Sequence, residues 1–541
     1  MQGLMMDVPL MISSLIRHAD RYHGDTEIVS RTVEGPIHRY TYRDAHARAR
    51  RLARALSRLG IAPGDRVGTL AWNGYRHFEL YYAISGMGAV THTINPRLFH
   101  DQLGYIIGDA EDSIVFFDLT FTALVEKLAH ACQGVKHWVA MTDRDHRPQA
   151  GIPGLLCYED LLAAETDDFE WPEFDENTAA TLCYTSGTTG KPKGVLFSHR
   201  STILHAYAIS LPDTKNLSAS SAVLAIVPMF HVNAWGIPYA APLVGAKLVF
   251  PGAGLDGANL FELIEAEAVD STSAVPTVWL SLINYMQQNK LGFSTLKSTT
   301  IGGAACPPAM IRTLRDEFGV RVLHGWGMTE MSPVGTLNVP KGKHRDLAGE
   351  ARFQLSLKQG RPLYGVEMKI VDAEGRELPR DGKAAGNLLV RGPWILRRYF
   401  KDAGGDPLTA DGWFPTGDVG TIDADGYLQV TDRSKDVIKS GGEWISSIEL
   451  ENIAVGHPGV IEAAVIGVRH PKWDERPLLV VVKRPGAYVT KEALLEFYSG
   501  KIAKWWLPDD VVFVDELPHT ATGKLSKMTL RERFKDYRLP A

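Results

Sequence analysis

Cysteine is scarce. The chain has four in 541 residues, Cys132, Cys157, Cys183 and Cys306, far apart and with no metal-type spacing. That excludes a disulfide framework and a cysteine-built zinc site, and it fits reduced thiols in a cytoplasmic protein. Long apolar runs are also missing: no stretch reaches the ~18 residues that a membrane span needs. The first residues, Met1 to Ile16, are apolar but are broken by Asp7 and Pro9, and no basic segment precedes them, so no signal peptide is expected. Nor is there an excess of positive charge. With 58 basic and 63 acidic residues the net charge is −5, against a general nucleic-acid binder. Two glycine-rich fingerprints are absent as well. No Walker loop occurs, because Lys191 is followed by Pro192 and Thr185 stands where the first glycine belongs. Gly325-Trp326-Gly327 runs into Met328-Thr329-Glu330 and lacks the third glycine of the Rossmann turn.

What is present is a composition ordinary for a globular protein, 45% hydrophobic and 22% charged, at a length that implies more than one domain. The densest stretch is Tyr184-Thr185-Ser186-Gly187-Thr188-Thr189-Gly190-Lys191-Pro192-Lys193-Gly194. It lies between two short apolar runs that read as strands. Glycines let successive N–H groups turn into one concavity that binds anions, and the hydroxyls and lysines add donors and charge. The pattern points to a phosphate-cradling loop; its bland alternative is a Gly/Thr-rich hairpin turn.

Residues 42–60 read as a helix, with Ala45, Ala49, Leu52, Leu56 and Leu59 on one face and Arg48, Arg51, Arg54 and Arg58 elsewhere, taken as a solvated face. Strands over 67–71, 89–94 and 114–117 alternate with a helix over 78–86, a parallel α/β pattern. The acidic stretch Glu165 to Glu176 reads as a solvated linker. Farther on, His231-Val232-Asn233-Ala234-Trp235 places polar groups in an apolar segment, which suits a ligand contact or a buried histidine held by backbone. A strand over 296–301 ends in Gly302-Gly303-Ala304-Ala305, small enough for a flat ligand or for the start of a helix at Pro307-Pro308. Then come His324-Gly325-Trp326-Gly327-Met328-Thr329-Glu330, Trp413-Phe414-Pro415-Thr416-Gly417-Asp418, Asp432-Arg433-Ser434-Lys435-Asp436 and Pro518-His519-Thr520-Ala521-Thr522-Gly523-Lys524-Leu525.

Together these stretches resemble, in content and order, the motifs of the adenylate-forming enzymes, and the likeness spans about residues 15 to 530. The resemblance implies an acyl-adenylate-synthetase fold of class α/β: a large N-terminal domain of α/β subdomains over 1–434 and a small mobile α+β lid over 435–541. It implies ATP, Mg²⁺ and coenzyme A as ligands. Thr185, Ser186, Gly187, Thr188, Thr189, Gly190 and Lys191 would hold phosphates, with Thr185 and Glu330 on the metal. Gly303, Ala304, Gly325, Trp326 and Gly327 would bind the nucleotide, with Trp326 along adenine, Thr329 on the α-phosphate, and Asp418 with Arg433 on the ribose. His231 would contact the adenylate, while Trp235, Gly302 and Pro333 would line the acyl pocket. Lys524 would drive adenylation and Lys435 would be the hinge. Lys439 and the loop Ser440-Gly441-Gly442-Glu443 would serve the thiol step. Trp473 and Arg476 belong either to the CoA nucleotide contacts or to the bare surface.

The implied activity is an ATP-dependent acyl-CoA ligase, in fatty acid metabolism, acting on short acids such as 3-methylmercaptopropionate, with medium- or long-chain fatty acids as the alternative. A luciferase-like oxidative enzyme shares the adenylation motifs. A non-catalytic nucleotide binder would be expected to lack Glu330 or Lys524, and both are present. The likeness also implies a homodimer, which composition, as above, places in the cytoplasm without a membrane span or a nucleic-acid partner.

Overall fold

The computed structural model describes residues 1, 3–185, 191–441, 443–519 and 525–540. Two large sheets carry the N-terminal part. In the seven-stranded sheet the order runs Leu155–Cys157, His137–Ala140, Asp112–Phe117, Arg66–Leu70, Val90–Thr93, Ala179–Tyr184, Gly194–Ser198. All pairings are parallel except the last, where Ala179–Tyr184 and Gly194–Ser198 form an antiparallel edge hairpin with Tyr184 opposite Gly194. The hairpin's connection is the glycine-rich stretch, so both flanking strands expected from the sequence are present.

The nine-stranded sheet runs Arg361–Pro362, Val334–Leu337, Arg321–Gly327, Ser298–Ile301, Ser271–Ala274, Ala222–Leu224, Lys247–Phe250, Glu27–Arg31, Ile37–Thr41, with a parallel centre. Parallel strands need crossovers, and the helices that supply them cover both faces. That is why central strands such as Val90–Thr93 and Ser298–Ile301 are buried on both faces, although their sequences are rich in threonine. Helix Tyr75–Gly86 is buried along its whole length, which explains its weak amphipathic signal. Helix Tyr42–Arg58 starts at a capping box in which Thr41 and Asp44 each accept the other's backbone N–H, an arrangement worth about 1 kcal/mol.

A four-stranded antiparallel sheet follows, Glu367–Val371, Gly386–Arg391, Phe414–Ile422 and Leu428–Arg433. The smaller C-terminal domain is a five-stranded sheet of Ile438–Ser440, Glu443–Ile445, Val460–His470, Asp474–Lys483 and Asp510–Phe513, with helices Ser447–Val455, Lys491–Phe497 and Lys527–Arg533.

Two sequence expectations need correction. The arginines of helix Tyr42–Arg58 are not simply solvated. Arg48 pairs with the fully buried Glu79 at 2.7 Å and with Glu159 at 2.9 Å. The acidic stretch is not a solvated linker. Glu165 pairs with Arg54 and Arg58, and Asp168 with Arg54. Trp171 donates to His46 Nε2 at 2.9 Å and packs so closely on Gly86 that a Cβ there would lie 2.6 Å from its ring. The stretch is a strap tied across the helix by opposite charge and one indole. Single-sequence charge counting misses such a strap, because the partners are about a hundred residues apart.

Candidate functional site

The phosphate-loop hairpin is anchored at its base. Thr185 N donates to Lys193 O at 2.9 Å, and Lys193 N reaches Thr185 Oγ1 at 3.4 Å. Ser186, Gly187, Thr188, Thr189 and Gly190 lie outside the described residues, as do Gly442 and Lys524. Lys191 is exposed, with its Nζ 5.1 Å from the Tyr105 ring centroid. Lys193 stands 4.8 Å over the Tyr399 ring. The Tyr399 hydroxyl in turn donates to Glu330 Oε1 at 2.9 Å. Burial and the Glu330 charge push the Tyr399 hydroxyl well above its ordinary range, so it stays protonated and keeps donating. Base of loop, Lys193, Tyr399 and Glu330 thus form one contact chain.

Glu330 and Thr329 are buried in a short turn, Thr329–Met331, just past strand Arg321–Gly327. A carboxylate and a hydroxyl are hard oxygen donors and fit Mg²⁺, which keeps several non-protein oxygens as ligands and needs no protein cage. Among the described residues no group of three or more His, Cys, Asp or Glu could hold a metal by itself. The donor set therefore fits an ion that is completed by phosphate oxygens.

The strand Arg321–Gly327 and the strand Phe414–Ile422 meet at a second cluster. Trp326 Nε1 donates to Asp418 Oδ2 at 2.8 Å, and Arg433 pairs with Asp418 Oδ1 at 2.8 Å. Asp418 is buried and opposite Arg433 across an antiparallel pairing. Three residues taken from three separate motifs are brought into direct contact. Gly325 is pressed by the Leu337 side chain and Gly327 by backbone: a Cβ on Gly327 would collide with Pro333 O. Met328 N donates to that same Pro333 oxygen at 3.1 Å, which fixes the turn after the strand. Gly303 has φ +78° beside the strand end, a left-handed conformation that glycine adopts readily.

The acyl side is built on a strained turn. Val232, Asn233, Ala234 and Trp235 have φ of 38°, 41°, 51° and 52°, and Gly236 follows at 81°. L-residues avoid this region, and each costs on the order of 1–3 kcal/mol. Asn233 holds the turn. Its Nδ2 donates to Thr181 Oγ1 at 2.9 Å, and its Oδ1 accepts from Cys183 Sγ at 3.2 Å, both on the strand that leads into the phosphate loop. The turn delivers Trp235 against Gly302: a Cβ on Gly302 would lie 3.3 Å from the indole Cη2 and 2.9 Å from Gly325 O. His231, which precedes the turn, is half-buried, and its N donates to Pro228 O at 3.1 Å. Pro333 follows a cis bond from Ser332.

Toward the C-terminus, Lys435 and Lys439 are exposed. Ser440 is buried and accepts from Arg476 at 3.2 Å. Arg476 is further committed to Asp509 and to the carbonyls of Trp505 and Leu507, which leaves it a structural clamp. Gly441 N donates to Trp473 O at 2.8 Å, and the Trp473 ring packs on Gly441. Glu443 opens the strand Glu443–Ile445. Asp432, the last buried acid before the expected hinge, accepts from Ser447 N and Oγ, each at 2.6 Å, at the start of the first C-terminal helix.

Sequence reasoning missed Tyr399, which lies in no motif and is marked only by its partners; it singled out the stretch that holds Asn233 but gave that residue no role of its own.

The AMP-binding enzyme family matches residues 15–400, and the AMP-binding enzyme C-terminal domain matches 449–524. The chain is 55% identical over 538 residues to 3-methylmercaptopropionyl-CoA ligase of Ruegeria lacuscaerulensis, covering 99% of both chains. It is 51% identical to medium-chain-fatty-acid–CoA ligase of Ectopseudomonas oleovorans, covering 99% of this chain and 98% of the other. Among solved structures, anthranilate CoA ligase AuaEII in complex with anthranoyl-AMP matches with a TM-score of 0.86 at 26% identity, covering 98% of each chain. Motifs, fold and relatives agree: the chain belongs to the AMP-binding enzyme family, among its acid–thiol ligases.

Proposed function

We propose that the protein is an ATP-dependent acyl-CoA ligase that makes an acyl-adenylate and then a thioester, from 3-methylmercaptopropionate and similar short acids. The carrying observation is the direct joining of Trp326, Asp418 and Arg433, which gives a nucleoside an aromatic edge, a carboxylate for its ribose hydroxyls and a cation that fixes that carboxylate. The short-acid reading draws on the relative at 55% identity and on the close packing of Trp235 over Gly302. The relative at 51% identity favours a medium-chain acid as the second reading.

In the first step the acid's carboxylate oxygen attacks the α-phosphorus of ATP and pyrophosphate leaves. Both reactants are anions, so the protein's task is positioning and charge neutralisation. Lys191 and Lys193 supply positive charge at the leaving phosphates. Lys524 supplies it between the reacting groups. Glu330 and the Thr185 hydroxyl would hold Mg²⁺, which offsets phosphate charge when bound. Thr329 contacts the α-phosphate, and His231 orients the acyl carboxylate beside it. In the second step the CoA thiol attacks the acyl carbon and AMP leaves. Rotation about Lys435, at the border we place between residues 434 and 435, exchanges Lys524 for Lys439 and the loop Ser440-Gly441-Gly442-Glu443. The enzyme would work in the cytoplasm as a homodimer.

The test separates the two half-reactions. Lys524→Ala should lower ATP–pyrophosphate exchange by orders of magnitude and leave thioester formation from pre-made acyl-adenylate largely intact. Equal loss of both would refute the two-step assignment. A panel of acids from two to sixteen carbons plus 3-methylmercaptopropionate, ranked by kcat/KM, decides between the short and medium readings.

A further inference from the structure

Lys215 is a buried amine that the chemistry above does not use. It lies just past helix His199–Ser210 and is 3% exposed. Its Nζ donates to Ser273 Oγ at 2.6 Å and to Thr300 Oγ1 at 2.9 Å. Those two hydroxyls face each other on neighbouring parallel strands. Among the described residues no carboxylate pairs with it, and burial lowers its pKa from the ordinary 10.5 to about 7. An ammonium has three donors, and the two hydroxyls take two.

The amine's position gives it meaning. Thr300 lies in the strand Ser298–Ile301, two residues before Gly302. Gly302 is the residue against which Trp235 packs, and the Thr300 methyl lies 3.5 Å from where a Gly325 Cβ would be. On the helix side, His205 packs on Gly236 so tightly that a Cβ there would lie 2.8 Å from its ring. His205 is near enough to Lys215 for the amine's charge to lower its own pKa further. Contacts thus run from the amine through Thr300 to the Gly325 position, and from Gly325 O to Gly302 and Trp235.

We propose that Lys215 determines acyl specificity: anchored by Ser273 and Thr300, its ammonium form is a polar end-stop that gives its third N–H to an acceptor atom, a thioether sulfur or a hydroxyl, near the end of a short acid. A plain alkyl tail leaves that donor unsatisfied, and a longer one must displace it. The inference rests on the ligase reading above.

The informative pair is 3-methylmercaptopropionate and pentanoate, which differ by sulfur in place of one methylene. We would measure kcat/KM for thioester formation at pH 6, where the amine holds its proton, with these two acids and octanoate, on wild type, Lys215→Met and Thr300→Val. Wild type should favour the thioether acid over pentanoate by about tenfold. Lys215→Met should bring that ratio to within about twofold and raise octanoate relative to the short acids by about tenfold. Unchanged ratios in a folded Lys215→Met, or no thioether preference in wild type, would overturn the proposal. Should Lys215→Met fail to fold, Thr300→Val decides, because it removes one anchor and keeps shape; a ratio that moves less than about threefold overturns it. Wild type that makes no thioester from any acid would instead refute the ligase reading itself.

Discussion

Replacing Lys215 by methionine should change how stability depends on pH, and the structure sets the size of the change. In the unfolded chain the amine titrates near 10.5, whereas burial lowers it to about 7 in the fold. Below pH 7 both states hold the proton, and the fold bears the whole penalty of a buried charge, about 5 kcal/mol by the spread of the two values. Between the two values the unfolded state binds more protons than the folded one, so stability rises with pH. From pH 6 to pH 9 the gain from this one residue is about 3 kcal/mol. Methionine fills similar volume, carries no charge and removes that slope. It also removes two hydrogen bonds, at about 1 kcal/mol each, but a neutral amine makes them too, so that loss is nearly independent of pH. His205, the titratable neighbour, is held at about 3 and stays neutral throughout. The assay is calorimetric unfolding of wild type and Lys215→Met at pH 6 and pH 9, following the transition of the N-terminal domain. Other titrating groups are common to both proteins and cancel in the difference. Methionine should gain on wild type at pH 6 relative to pH 9 by about 3 kcal/mol, a few degrees in midpoint. A gap between the two proteins that is the same at both pH values would refute the buried amine.

Tyr399→Phe removes the hydroxyl that donates to Glu330 and should lower adenylation about tenfold at limiting Mg²⁺, with less effect at saturating metal; pyrophosphate exchange at two metal concentrations reads it. Asn233→Ala releases the left-handed turn from Thr181 and Cys183 and should destabilise the N-terminal domain by about 2–4 kcal/mol, seen as a lower thermal midpoint. Gly302→Ala drives a methyl against Gly325 O and the Trp235 ring and should reduce kcat/KM for the acid by about tenfold with little change in ATP binding. Lys435→Pro should let pyrophosphate exchange continue and stall thioester formation, because proline fixes φ where the hinge must change it; equal slowing of both steps would count against the hinge.

Much of the architecture was legible in the chain. Helix Tyr42–Arg58 follows from the spacing of its apolar residues and from the Thr41–Asp44 cap, both local. The strands that flank the glycine-rich stretch, and those of the C-terminal domain, follow from short apolar runs bounded by turn residues. The motif positions, and with them the family, were legible for the same reason: a phosphate loop or a strand-end aromatic needs fixed residue types at fixed short spacing.

What the tertiary structure alone decided involves partners far apart in sequence. The acidic strap meets the arginines of helix Tyr42–Arg58 across about a hundred residues, and charge composition reads as solvated until those partners are known. Asp418 becomes a held carboxylate only when Trp326, ninety-two residues away, donates to it. Glu330 acquires Tyr399, and Asn233 acquires Thr181, the same way. Lys215 is the extreme case. In the sequence it is one more lysine between Thr214 and Asn216, expected in water. Only the packing of a helix end onto two neighbouring strands takes its amine out of solvent, and desolvation, which no local pattern encodes, then makes it a candidate for choosing the substrate.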